Sequence, residues 1–144
     1  QCAATIGGVA WAGDDTTNDL WRLTPGVNRD GADTISRVAS AFIPVESGTP
    51  RCGSIVLHCV VGVGNPIYPG KDPLAEMRWS DDQGRTFCAW RAAALGRQGD
   101  YRNRAYWQRL GSMRAPGRLV EVRCVDPVNV VFSHLEINAP RPAN

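Results

Sequence analysis

Few residues in this chain have the types and spacing needed for chemistry. His58, His134 and the five cysteines Cys2, Cys52, Cys59, Cys88 and Cys124 are the natural metal ligands. No CxxC or HExxH spacing groups them as a zinc site requires. Asp81 and Asp82 adjoin, but neighbours along a strand point to opposite faces, so the pair is poorly placed for shared acid–base work on one bond. There is no Ser-His-Asp order and no glycine-rich phosphate loop between a strand and a helix. The expectation is therefore no catalytic residue, no metal and no cofactor. Cys59 and Cys124 lie inside alternating apolar runs and read as small buried hydrophobes, and His58 reads as a hydrogen-bonded structural histidine. An odd number of cysteines at irregular spacing implies no disulfide framework and fits assembly in a reducing interior.

The elements that must position these residues follow from composition. The chain has 144 residues, 43% apolar and 21% charged, which suits one globular core. Fifteen Gly and ten Pro are scattered along it, as expected of short strands joined by turns and not of a helical bundle. No apolar stretch is long enough to span a membrane and no signal-peptide leader is present, so no membrane partner is expected. The first residue is Gln, which suggests that the chain was cut from something longer.

Period-two alternation predicts strands at Asp19 to Thr24, Thr34 to Ile43, Gly53 to Val63, Leu74 to Ser80, Arg104 to Leu110, Gly117 to Val125 and Val130 to Asn138. In the second, Ile35 and Val38 are expected inward. The third is expected to be central, because apolar residues occupy both of its faces. Arg104 to Leu110 should place Ala105, Trp107 and Arg109 on one face. Val130 to Asn138 should do the same with Val131, Ser133, Leu135 and Ile137. Residues 91–99 read as loop, since Ala92 to Leu95 suit one helical turn or extended chain alike and Gly96 and Gly99 would cap any helix at once. The resulting fold class is all-β, an antiparallel β-sandwich of about seven or eight strands with an Asp-box hairpin. Residues 18–138 form its single domain, residues 1–17 are a lead-in from a preceding segment, and residues 139–144 are a flexible tail.

Charge is uneven. Residues 1–77 carry five basic and eight acidic groups, whereas residues 78–123 carry ten basic and four acidic. This basic band implies an arginine-rich surface paired with carboxylates or an acidic docking partner, with direct DNA contact the weaker reading.

The sharpest local signal is Ser80-Asp81-Asp82-Gln83-Gly84-Arg85-Thr86-Phe87. With Ser80, Asp82, Gly84, Thr86 and Phe87 at its fixed positions, it resembles the Asp-box hairpin, a folding device in which the aspartate accepts from its own turn and the glycine takes positive φ. Taken with Leu74 to Ser80, the run Leu95 to Arg102, Arg104, Trp107 to Gly111, Arg114 and Val125 to Val128, this segment resembles the C-terminal region of the packaged-DNA stabilisation proteins of short-tailed bacteriophages. Those tail-hub proteins close the head after packaging. The family tends to have a second glycine where this chain has Gln83, and Glu in place of Asp100.

The resemblance implies a structural virion protein of the head-to-tail junction, assembled in the host cytoplasm. It further implies a ring of copies, six in the family, bound to portal or adaptor proteins and to tail proteins, with any DNA contact indirect. The interface candidates are Trp90, Arg91, Arg97, Tyr101, Arg102, Arg104, Tyr106, Trp107, Arg109 and Arg114, as aromatic anchors and planar multi-donor cations. Arg102 and Arg104 could instead pair within the chain with Asp81, Asp82 or Asp100. The rival reading is a carbohydrate- or receptor-binding module, which would need Trp11, Trp21 and Trp90 exposed together in a row.

Overall fold

A computed structural model describes residues 2–13, 19–23, 29–30, 33–34, 37–66 and 70–138. The strands are β1 (Cys2–Ile6), β2 (Val9–Gly13), β3 (Leu20–Leu23), β4 (Arg29–Asp30), β5 (Asp33–Thr34), β6 (Arg37–Pro44), β7 (Ser54–Cys59), β8 (Leu74–Ser80), β9 (Arg91–Ala94), β10 (Ala105–Gln108), β11 (Gly117–Cys124) and β12 (Phe132–Asn138). Every described strand pair is antiparallel. The last seven strands build the sandwich, one sheet in the order β10-β7-β12 and the other in the order β6-β11-β8-β9. Only β8 and β9 pair as sequence neighbours in these two sheets, so the remaining pairings join distant stretches of chain.

Alternation drives burial between the sheets. From one side come Ile55 and Leu57 of β7 with Ala105 and Trp107 of β10; from the other come Ala75 and Met77 of β8 with Val120, Val122 and Cys124 of β11. They form one apolar cluster, against which Ile43, Leu135 and Ile137 pack. Each of the large side chains in it contributes about 1.5–3 kcal/mol by leaving water. β7 is central, as its two-faced apolar pattern predicts, and the all-β sandwich follows from the same alternation. Cys52, Cys59, Cys88 and Cys124 are free thiols, and burial pushes Cys52 and Cys59 above the usual thiol range.

Several sequence expectations need correction. Residues 91–94 are a strand and not loop: β9 pairs Leu74 with Ala94 through Met77 with Arg91. Alanine has low strand propensity, so this edge exists because β8 offers it a ladder. Val38 lies on the outer face and is 57% exposed, because its register partner is Arg123; Ile35 lies outside the described residues, as does the tail 139–144. Arg109 does not stay with Ala105 and Trp107. Its φ of 58° breaks the alternation, leaving it exposed and turning Leu110 into the core. In β12 a register shift between Phe132 and His134 breaks the predicted face in the same manner. Phe132, Leu135 and Ile137 pack inward, while Val131 and Ser133 are exposed.

The N-terminal strands make a separate three-stranded sheet, β1-β2-β3. Leu20–Leu23 pairs with Val9–Gly13, so the lead-in expected to end at residue 17 shares a sheet with residues beyond it.

Candidate interaction surfaces

The turn after β8 is closed by two side chains. The Ser80 hydroxyl donates to Asp82 Oδ1 at 2.6 Å and accepts the Gly84 amide at 2.8 Å. Asp82 accepts the Thr86 amide at 2.8 Å on Oδ1 and the Thr86 hydroxyl at 2.6 Å on Oδ2. These donors, Ser80 first, hold the Asp82 carboxyl far below the usual carboxylate range. Gly84 has φ 89°, which a side chain would strain, and Gln83 sits at φ 63° beside it. Phe87 then lies under the Arg78 guanidinium, 4.1 Å from it.

Arg118 is the functional-looking residue that the sequence reading passed over. It occupies an inward position of β11 and is 1% exposed. Nε and Nη2 form a fork onto Asp81 at 2.7 and 2.8 Å, and further donors reach the Leu110 and Ser112 carbonyls at 2.7 and 3.1 Å. The guanidinium also stands 5.1 Å from the Trp79 ring. Four of the five N–H donors are engaged in these bonds, a strut tying β11 to the turn and to the chain after β10. The clue in the sequence was an arginine in phase with Val120, Val122 and Cys124. Asp81 is thereby taken, and Asp82 is held by its own turn, so neither pairs with Arg102 or Arg104.

The outer face of the four-stranded sheet carries a checkerboard of charge. Arg78 faces Glu121 across the β8–β11 ladder and Arg123 faces Glu76, each with an N–O distance of 2.7 Å. Trp90 lies over both cations, 4.5 Å from Arg78 and 4.0 Å from Arg123. This interface candidate is a half-buried lid on paired charges. Trp107, an interface candidate whose alternating strand equally implies burial, is 3% exposed in the core, and its indole N–H donates to the Arg91 carbonyl at 2.8 Å.

The other candidates are distributed as follows. Tyr101 is 74% and Tyr106 53% exposed. Arg97, Arg102, Arg104, Arg109 and Arg114 are exposed, and Arg91 is half-buried beside Trp79. Arg97 pairs with Asp72. Arg91, Arg102 and Arg104 form no ion pair with a described residue. Arg91, Arg104, Tyr106 and Trp107 come together along one groove of about 440 Å³, between the free edges of β9 and β10.

On the outer face of the β10-β7-β12 sheet, His58 and His134 stack with ring centroids 4.2 Å apart, and His58 Nε2 lies 2.9 Å from Glu136. His58 is thus hydrogen-bonded through a partner from β12 that no local pattern announces. Trp11 and Trp21 occupy opposite faces of the N-terminal sheet, since Trp11 pairs with Arg22 and Trp21 with Ala12. The aromatic row required by a carbohydrate-binding reading is not formed by these two. Among the described residues no group of three His, Cys, Asp or Glu is placed to hold a metal ion, and no helix is long and apolar enough to cross a membrane.

Residues 37–140 match the family model described as Bacteriophage P22 Gp10, beta-sandwich. The matched span begins where β6 begins and covers the whole seven-stranded sandwich. No curated protein matches the chain.

Proposed function

The chain belongs to the Bacteriophage P22 Gp10 β-sandwich family, and on that premise we propose that it is a structural virion protein of the head-to-tail connector or tail hub, where it closes the portal channel and retains packaged DNA by protein–protein assembly. The observation that carries this reading is the coincidence of the family match with the sandwich of β6 to β12. The sandwich is the assembly unit, repeated around a ring of six copies and bound to portal or adaptor proteins above and to tail proteins below. The exposed members of the basic band, with Tyr101 and Tyr106, supply the surface that such contacts need. The chain works without catalysis or cofactor.

The test is to locate the chain in intact particles by electron cryomicroscopy and to measure DNA retention in particles assembled without it. The expected result is six copies at the junction and leaking heads in their absence. A particle that lacks the chain, or that holds its DNA equally well without it, would overturn the proposal.

A further inference from the structure

Two sheet edges usually invite pairing, and this molecule keeps two of them apart. β9 ends one sheet and β10 ends the other. Trp107 Nε1 donates to the Arg91 carbonyl and Asn103 Nδ2 donates to the Ala94 carbonyl at 3.1 Å. These two staples fix the spacing of the edges, so the opening between them is a built groove. Ala92, Ala93 and Ala94 form one wall, and their small side chains let another chain come close. Arg91 and Arg104 line the groove, and among the described residues no Asp or Glu does.

The loop beside it is equally fixed. Gly96 sits against the Asp100 carbonyl and Asn103, and the Tyr101 ring packs on Gly62, where any side chain would come within 2.8 Å of the ring. Arg102 is thereby presented to solvent on a defined support. A shallow groove of about 440 Å³ with cations and no carboxylate in its described lining suits carboxylates on a single extended segment, which can lie along it.

The chain itself contains the complementary charge. Its segment 14–33 has five aspartates, Asp14, Asp15, Asp19, Asp30 and Asp33, against Arg22 and Arg29. We infer that the β9–β10 groove receives the Asp14, Asp15 and Asp19 stretch of a second copy of the chain. The inference rests on the assembly reading above and gives it one specific contact. A basic surface on one copy meeting an acidic stretch on the next is a heterologous contact, the kind that repeats around a closed ring.

The test titrates a synthetic peptide of residues 13–20 into the full chain and follows the Trp107 indole N–H and the Arg91 and Arg104 Nε–H resonances by NMR. The expected result is saturable shifts at these groups, with binding weakened about tenfold or more by R91E/R104E. A peptide with Asp14→Lys, Asp15→Lys and Asp19→Lys should bind the reversed chain and not the original. R102E, on the exposed loop, should weaken binding by a smaller factor and keeps the test open if the double variant melts early. Equal binding of a peptide carrying Asn at the three positions, or no effect of charge reversal, overturns the inference. So does a duplex oligonucleotide that shifts the same groups at lower concentration, which would make the groove a nucleic-acid site. If particles contain the chain at the junction but the peptide fails to bind, only this contact falls; if the peptide binds and particles lack the chain, the connector role falls.

Discussion

Arginines on the outer face of the four-stranded sheet and arginines along the β9–β10 rim live in opposite conditions. Arg78 and Arg123 each face a glutamate across the ladder and lie beneath Trp90. Arg91 and Arg104 line a groove with no carboxylate among its described residues. The first pair has its charge answered inside the molecule, where rings and partial burial reduce screening by salt. The second pair has its charge available to something else. The basic band is therefore two populations, and the difference separates arginines that hold the fold from arginines free to meet a partner.

The contrast breaks most sharply at Arg118, the extreme case of an answered charge. Arg118→Met leaves Asp81 and two carbonyls without their donors and should cost about 3 kcal/mol in urea unfolding, the lower part of the range because Asp81 is partly exposed. Trp107→Phe keeps an aromatic ring but removes the pyrrole half of the indole and with it the staple to the Arg91 carbonyl, and should cost about 2 kcal/mol by the same measurement. Arg78→Gln loses the Glu121 pair and two ring contacts at a half-buried site. It should cost about 1 kcal/mol in thermal unfolding, with little of the effect removed by salt.

A fourth prediction concerns the turn that anchors this face. The Asp82 carboxyl has a lowered pKa in the folded chain, so its contribution is fully present above the ordinary carboxylate pKa of about 4 and fades as pH falls toward the folded value. Asp82→Asn should flatten the acid limb of the stability profile below about pH 4. It should also speed amide exchange at Thr86 at neutral pH. The smallest effect belongs to the rim: R102A and R104A should each change stability by less than about 0.5 kcal/mol, because their side chains support no described contact. A large loss there would erase the distinction between the two populations.

Much of the sandwich was legible because burial imposes a period of two. Val120, Val122 and Cys124 declare their face, as do Ala75 and Met77. Where alternation carries no apolar contrast, as in the alanines of β9, the strand was hidden until β8 was seen beside it. Where the backbone steps out of phase, at Arg109 and again between Phe132 and His134, the pattern pointed to the wrong face. The candidate surface was legible as residue types and not as partners. Phase alone separates Arg118, in step with Val120, Val122 and Cys124 and buried on Asp81, from Arg104, out of step with Ala105 and Trp107 and facing outward; the partner Asp81 is announced by no local pattern.

Sequence by itself determined the class of fold, the local turn at Ser80 to Phe87 and the uneven distribution of charge, since each depends on neighbours within a few positions. Tertiary structure alone decided which arginines are neutralised. Glu121 lies far along the chain from Arg78, and Asp81 far from Arg118. An electrostatic interaction depends on distance in space, and that distance was set when the apolar faces of β7, β8, β10 and β11 packed together.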